Sequence, residues 1–198
     1  MAWNKAGSTS LGSANANITL TSLSNNKFSN VMINTLGAST NSNVMLQLGN
    51  GSTNTGTNYA YRQCANGGSE EAGSGQQSQS SIIIGGGSGT HPKFVVGYIC
   101  NISGEEKLCI FNSINRRATG AANAPERTEN VGKWSIINNP VIDTITVNSS
   151  SGTFNSDSNL SVLGSDGVAS MKVQDGAIFY ETDTNKSYVL NNNTWSEV

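Results

Sequence analysis

The chain has 198 residues, of which 35% are hydrophobic and 12% charged, with a formal net charge of −2. That length suits one main domain with a small appendage. Low charge excludes the usual composition of a disordered chain. The acidic balance leaves no basic stripe to displace counterions, so nucleic acid is not an expected partner. No apolar run approaches the roughly 20 residues of a membrane helix.

Ser, Thr, Asn and Gly fill the place of the missing hydrophobic and charged residues. Short polar side chains suit solvent-facing strand positions and tight turns, so the composition reads as turn-rich β structure. No long stretch carries apolar residues at helical spacing. Strand-like runs recur instead at Asn17–Leu23, Asn30–Leu36, Asn43–Leu48, Tyr59–Gln63, Ser81–Ile84, Lys93–Ile102, Leu108–Ile114, Gly132–Ile137, Ile142–Asn148 and Asn159–Leu163. Ile18 and Leu20 alternate with Thr19 and Thr21, and Ile145 and Val147 with Thr144 and Thr146, so the apolar set of each faces in and the threonines face out. Ile82-Ile83-Ile84 lacks alternation and suits a strand covered on both faces. Loops are expected at Asn50–Asn58, Asn66–Ser80 and Arg116–Asn130, the second of low complexity. The Arg116-Arg117 pair reads as a solvated part of the third.

Within Lys93–Phe111, Gly104-Glu105 reads as the two-residue turn of a hairpin. That register sets Ile102 opposite Lys107, Cys100 opposite Cys109 and Tyr98 opposite Phe111. Opposed cysteines are within reach of a bridge, but buried reduced thiols are the expected state. After Leu163, Gly164–Ser170 reads as a linker. Short strands follow at Ala177–Glu181, Ser187–Leu190 and Thr194–Val198, with turns at Thr182–Lys186 and Asn191–Asn193. The expected fold is all-β: a two-sheet antiparallel sandwich of jelly-roll type over 1–165, with a linker and a three-strand meander over 166–198. A barrel or an immunoglobulin-like sandwich fits the strand pattern alone as well.

Two stretches carry a resemblance. Ile142–Gly164, an alternating strand, a Gly-x-Phe turn and a short strand ending at Leu163-Gly164, resembles the closing strand pair of jelly-roll virion proteins of tailed phages. The opening Met1-Ala-Trp3 and Asn58-Tyr-Ala-Tyr-Arg62 look similar to other parts of that group. Gly176–Val198, with a Thr-Asp-Thr-Asn turn between aromatic strands and an Asn-rich turn before Trp195, resembles a small module common in phage fibre proteins. The resemblance implies a virion structural protein, a capsid decoration, head fibre or tail-fibre component. It implies a homotrimer that contacts other virion proteins, such as the major capsid or tail proteins.

Chemistry-bearing patterns are sparse. His91 is the one histidine, set in Gly89-Thr-His-Pro92, and neither a zinc ligand set nor a nucleophile elbow accompanies it. Gly85–Gly89 lacks the Lys-Ser/Thr pair of a phosphate loop. Glu70-Glu71, Glu105-Glu106 and Asp183 fall in predicted loops or turns, which does not suit a glycosidase pair. Glu181–Lys186 has the oxygen-bearing residues of a weak calcium loop and reads better as an Asx-type turn. The expectation is therefore no enzymatic activity, no cofactor and no metal. Trp134 falls in a strand pattern and reads as core. Trp3, Phe179, Tyr188 and Trp195 are the interface candidates, because a meander that short buries too little to cover its own aromatics. A receptor or host-surface glycan is the alternative partner for such rings. The opening residues hold no apolar signal segment, so synthesis in the host cytoplasm and residence in the virion are expected, with no membrane contact.

Overall fold

The computed structural model describes residues 3–68, 76–87, 89–166, 176–192 and 194–198. The parts of the predicted loop and linker at 69–75 and 167–170, and Asn193 in the last turn, lie outside the described residues. The chain divides into two compact units, Trp3–Gly167 and a second that includes Val168–Val198.

Among the described residues the larger unit holds twelve strands: β1 (Asn4–Ser10), β2 (Asn17–Leu20), β3 (Phe28–Thr35), β4 (Val44–Asn50), β5 (Ser52–Thr53), β6 (Tyr59–Ala65), β7 (Ile82–Gly85), β8 (Lys93–Cys100), β9 (Lys107–Asn115), β10 (Glu126–Trp134), β11 (Thr144–Ser149) and β12 (Asn159–Ser165). One sheet runs β1-β12-β3-β8-β9-β10-β6; the other runs β2-β11-β4-β5, with β7 also paired to β4. All of these pairings are antiparallel. Four strands of each sheet, β1-β12-β3-β8 and β2-β11-β4-β7, stand in the order of a jelly-roll sandwich. The meander β8-β9-β10 and the returning β6 then widen the first sheet.

The core lies between the sheets. Val31, Ile33, Val95, Ile99, Phe111, Leu160 and Val162 come from the larger sheet, and Ile18, Leu46, Leu48, Ile82, Ile84, Ile145 and Val147 from the smaller. Trp134 and Tyr59 stack beneath β6 and β10 at 6.4 Å between ring centroids. The Tyr59 hydroxyl accepts from the Leu48 N–H at 2.9 Å and lies 3.0 Å from the Leu48 carbonyl, which joins the wide sheet to the narrow one.

Three expectations need correction. First, Cys100 is not opposite Cys109. Cys100 pairs with Leu108, Ile99 with Cys109 and Gly97 with Phe111, one residue away from the predicted register. The turn is Ile102–Glu105, closed by the Glu105 N–H on the Ile102 carbonyl at 3.3 Å, with Gly104 third at φ +81°. That positive φ at the third position is the demand of a type II turn. A one-residue slip reverses faces, so Cys109 points into the core and Cys100 outward. Burial pushes the Cys109 thiol up to about 12, so it stays protonated. Second, the strand expected at Gly132–Ile137 starts earlier than its apolar residues indicate and shortens the loop expected at Arg116–Asn130: β10 covers Glu126–Trp134, and its polar Thr128 and Asn130 face inward. Third, Thr144 and Thr146 are buried: the Thr146 hydroxyl hydrogen-bonds those of Thr19 (3.1 Å) and Thr53 (2.7 Å), and the Thr144 hydroxyl donates to Asp143 Oδ1 at 2.8 Å. The strand β1 has no counterpart in the apolar pattern; it is held by its ladder to β12.

Gly97 carries the register. A Cβ built there would stand 2.2 Å from Phe111 Cδ1 and 2.4 Å from the Ile110 carbonyl oxygen. Gly97→Ala is expected to destabilise the larger unit by about 1–3 kcal/mol through overpacking. The urea midpoint is the measurement, and an unchanged midpoint would show that Phe111 does not depend on that gap.

Candidate functional site

Strands β8, β9 and β10 present apolar residues on both faces. Along β9, Lys107, Cys109, Phe111, Ser113 and Asn115 are buried, while Leu108, Ile110, Asn112 and Ile114 are exposed. Cross-strand pairing extends the exposed set. Tyr98, Ile110 and Val131 form one row, and Phe94 and Ile114 another. Trp3 closes the side of this surface with its ring 6.1 Å from that of Tyr98. Tyr98, Leu108 and Ile110 are 56%, 56% and 57% exposed, as residues on the solvent face of a sheet are, yet they are hydrophobic. Contiguous apolar faces of this kind are uncommon on the surface of soluble monomers.

The same face is concave towards β6. A depression of about 840 Å³ has Ala60, Arg62, Leu108, Ile110 and Val131 on its floor, and Gln76–Ser78 on one side. The Lys133 ammonium and Glu106 carboxylate meet at 2.8 Å on its rim. That hydrogen bond holds the Glu106 carboxyl below the usual carboxylate range. At the other end of the strands, Arg127 and Glu129 stand 3.8 Å apart. The Lys133–Glu106 and Arg127–Glu129 pairs each balance their charges, and the floor between them is aliphatic at Leu108, Ile110 and Val131 with the Arg62 guanidinium beside these. Branched aliphatic side chains provide area to bury; they transfer no protons.

The smaller unit holds β13 (Ile178–Glu181), β14 (Lys186–Asn191) and β15 (Thr194–Glu197) in one antiparallel sheet. Phe179 is paired with Tyr188, and Leu190 with Trp195, which puts all four on one face. The Phe179 ring lies 6.3 Å from Tyr188 and 6.1 Å from Trp195. Leu190 is buried beneath them, but Phe179 and Trp195 remain 52% and 43% exposed. The turn at 182–185 is closed by its own side chains: Thr184 donates to Glu181 Oε2 at 2.5 Å, and the Tyr180 hydroxyl bonds Asn185 Oδ1. These are side-chain to side-chain bonds, and the Asp183 carboxylate accepts from the adjacent Thr184 N–H at 3.1 Å rather than from a backbone N–H two residues on, as an Asx-type turn would have it.

Of the four residues singled out in the sequence, three thus meet in one aromatic cluster, and Trp3 stands on the wide sheet. Sequence reasoning missed the larger surface of Phe94, Tyr98, Leu108, Ile110, Ile114 and Val131. The available signal was Leu108–Phe111, an apolar run without alternation in a strand that needs only one face for the core. His91 lies half-buried in the loop before β8. Among the described residues, no group of three or more His, Cys, Asp or Glu is placed to hold a metal ion, and no helix is long and apolar enough to cross a membrane. Comparison with protein-family models, curated proteins and solved structures finds no match to this chain.

Neighbouring residues on β9 should respond oppositely to truncation. Phe111→Ala empties a core site and should cost about 3–5 kcal/mol. Ile110→Ala changes an exposed site and should stay within about 0.5 kcal/mol in the monomer. Chemical unfolding of the two variants at low protein concentration checks this, and equal losses would contradict the assignment of faces.

Proposed function

We propose that this protein is a non-enzymatic structural component that works by burying surface against other protein, and that the outer face of β8–β10 is its principal contact. The observation that carries this reading is the apolar row system on that face. Half-exposed aromatic side chains leave on the order of 100 Å² each uncovered. Together with the aliphatic residues they give a patch of several hundred Å². A standard interface buries roughly 800 Å² per partner, a little over half of it apolar. The patch is of the size such an interface needs, and its balanced rim repels neither an identical copy nor a mildly charged neighbour.

The resemblance to tailed-phage virion proteins adds the setting: a capsid decoration, head fibre or tail-fibre subunit, made in the host cytoplasm and resident in the virion. A homo-oligomer, with a trimer favoured, and contacts to major capsid or tail proteins belong to this proposal. The smaller unit supplies a second contact through Phe179, Tyr188 and Trp195. Those same rings favour a second reading, a receptor- or carbohydrate-binding module, because flat aromatic faces suit the apolar faces of sugars. The branched aliphatic centre of the larger surface, Leu108, Ile110 and Val131, suits protein better than sugar.

Light scattering on the purified chain at micromolar concentration is expected to give an oligomer. Ile110→Glu combined with Val131→Glu should reduce it to a folded monomer. A wild-type monomer that binds no virion protein would overturn the assembly reading. Glycan binding lost on Trp195→Ala, with assembly unchanged, would favour the receptor reading for the smaller unit.

A further inference from the structure

A second arrangement lies at the opposite edge of the same three strands, on the inner face. Lys93 opens β8, Asn115 closes β9 and Glu126 opens β10, and the ladder sets Lys93 opposite Asn115 and Asn115 opposite Glu126. Lys93 is 4% exposed and Asn115 2%. The Lys93 ammonium donates to the carbonyl oxygens of Ser42 and Gly87, the latter at 3.3 Å. The Asn115 amide is held at both ends. Its Nδ2 donates to Glu126 Oε2 at 3.1 Å, and its Oδ1 accepts from the Arg117 N–H at 3.0 Å. Gly87 draws the three together: a Cβ there would fall 2.7 Å from both Asn115 Nδ2 and Glu126 Oε2.

We propose that Lys93 and Asn115 become joined by an intramolecular amide bond, with Glu126 as the proton carrier. The ingredients are a buried amine, a carboxamide directly opposite, and a carboxyl group already bonded to the amide nitrogen that must leave. Burial pushes the Lys93 pKa down, with the negative charge of Glu126 acting against it, so the neutral amine is more accessible than at the surface. The Lys93 ammonium gives a proton to the Glu126 carboxylate, and the neutral Nζ attacks Asn115 Cγ. The Arg117 N–H stabilises the charge that develops on Oδ1, as an oxyanion-hole donor does. The new Nζ–Cγ bond forms, the Cγ–Nδ2 bond breaks, and Glu126 relays the proton to the departing nitrogen. Amine plus carboxamide gives secondary amide plus ammonia, with no oxidant or reductant. The product replaces a buried charge by a neutral group, which the site favours. A polar depression of about 400 Å³ lies beside Ser42 and Gly87, the two residues whose carbonyls hold the Lys93 ammonium.

Lys107 is the internal contrast. It is equally buried, but its ammonium is shared by the carbonyls of Ile102, Glu105 and Asn139 at 2.5, 2.6 and 2.8 Å, and Trp134 stands opposite it on β10. That lysine caps a turn, and the Asn101 amide, one residue past the Cys100–Leu108 pair, is spent on the backbone of Asn26 and Ile142.

Intact-mass spectrometry of the folded wild-type chain tests the proposal. The expected result is a mass one ammonia below that of the sequence. A branched tryptic fragment should join Gln63–Lys107, uncut at Lys93, to Leu108–Arg116. The loss should vanish in Lys93→Arg and in Asn115→Ala, and fall sharply in Glu126→Gln. A folded wild type of full mass overturns the proposal whether or not the variants fold. An ammonia loss that persists in Lys93→Arg also overturns it, since that would report cyclisation at Asn50-Gly51 or Asn66-Gly67.

Discussion

The seating of the Phe111 ring on Gly97 is the contact on which the wide sheet depends. An aromatic ring fits over the neighbouring strand there because Gly97 has no side chain, and neither residue can shift by one without a clash or an empty site. Register in an antiparallel pair is all or none with respect to faces. Once Phe111 is placed inward, Cys109, Ser113 and the two strand ends Lys107 and Asn115 follow it in, and Leu108, Ile110 and Ile114 are forced out. The β10 strand inherits the same phase through its ladder to β9, so Thr128, Asn130 and Trp134 turn inward.

That phase accounts for two features that look contrary to ordinary burial. The interior of the sheet contains lysine, asparagine and threonine at its margins, and the exterior contains isoleucine, leucine and tyrosine at its centre. Several of the interior polar groups find partners, while the Asn130 amide and Trp134 Nε1 are buried without one among the described residues. Lys107 satisfies carbonyls of two loops at once, and the Ser113 and Thr128 hydroxyls bond each other across the ladder. The exterior apolar groups Tyr98, Leu108, Ile110 and Ile114 stay about half exposed. A strand with hydrophobic residues on both faces expects a layer on both sides, and here the sandwich supplies only one of them.

The added strands also explain why the molecule is wider than a minimal jelly roll. β6 leaves the narrow sheet after β4 and crosses to the far edge of the wide one, and β7 returns to pair with β4. The Tyr59 hydroxyl, bonded to the Leu48 backbone, and the Tyr59–Trp134 stack hold that excursion. In the smaller unit the balance is different: one buried leucine supports three aromatics, and the turn at its tip is closed by local side-chain bonds.

The sequence by itself determined the fold class, most strand positions and the identity of the terminal meander. Period-two patterning in segments such as Asn17–Leu20 and Thr144–Asn148, broken by Gly and Asn, is a local property written in adjacent residues. It also pointed to the aromatic set of Phe179, Tyr188 and Trp195, because the separation of those rings by two short turns fixes their pairing. Tertiary structure alone decided the phase of β8 and β9, since Gly104 serves a two-residue or a longer turn equally well and only the fit of Phe111 to Gly97 selects one. It decided the burial of Thr146, which depends on β5 lying over it, and the existence of β10 across residues whose apolar pattern is weak. It also decided the meeting of Lys93, Asn115 and Glu126. These residues are spread over 34 positions of sequence and become neighbours only when three strand ends are brought into one row by ladder hydrogen bonds.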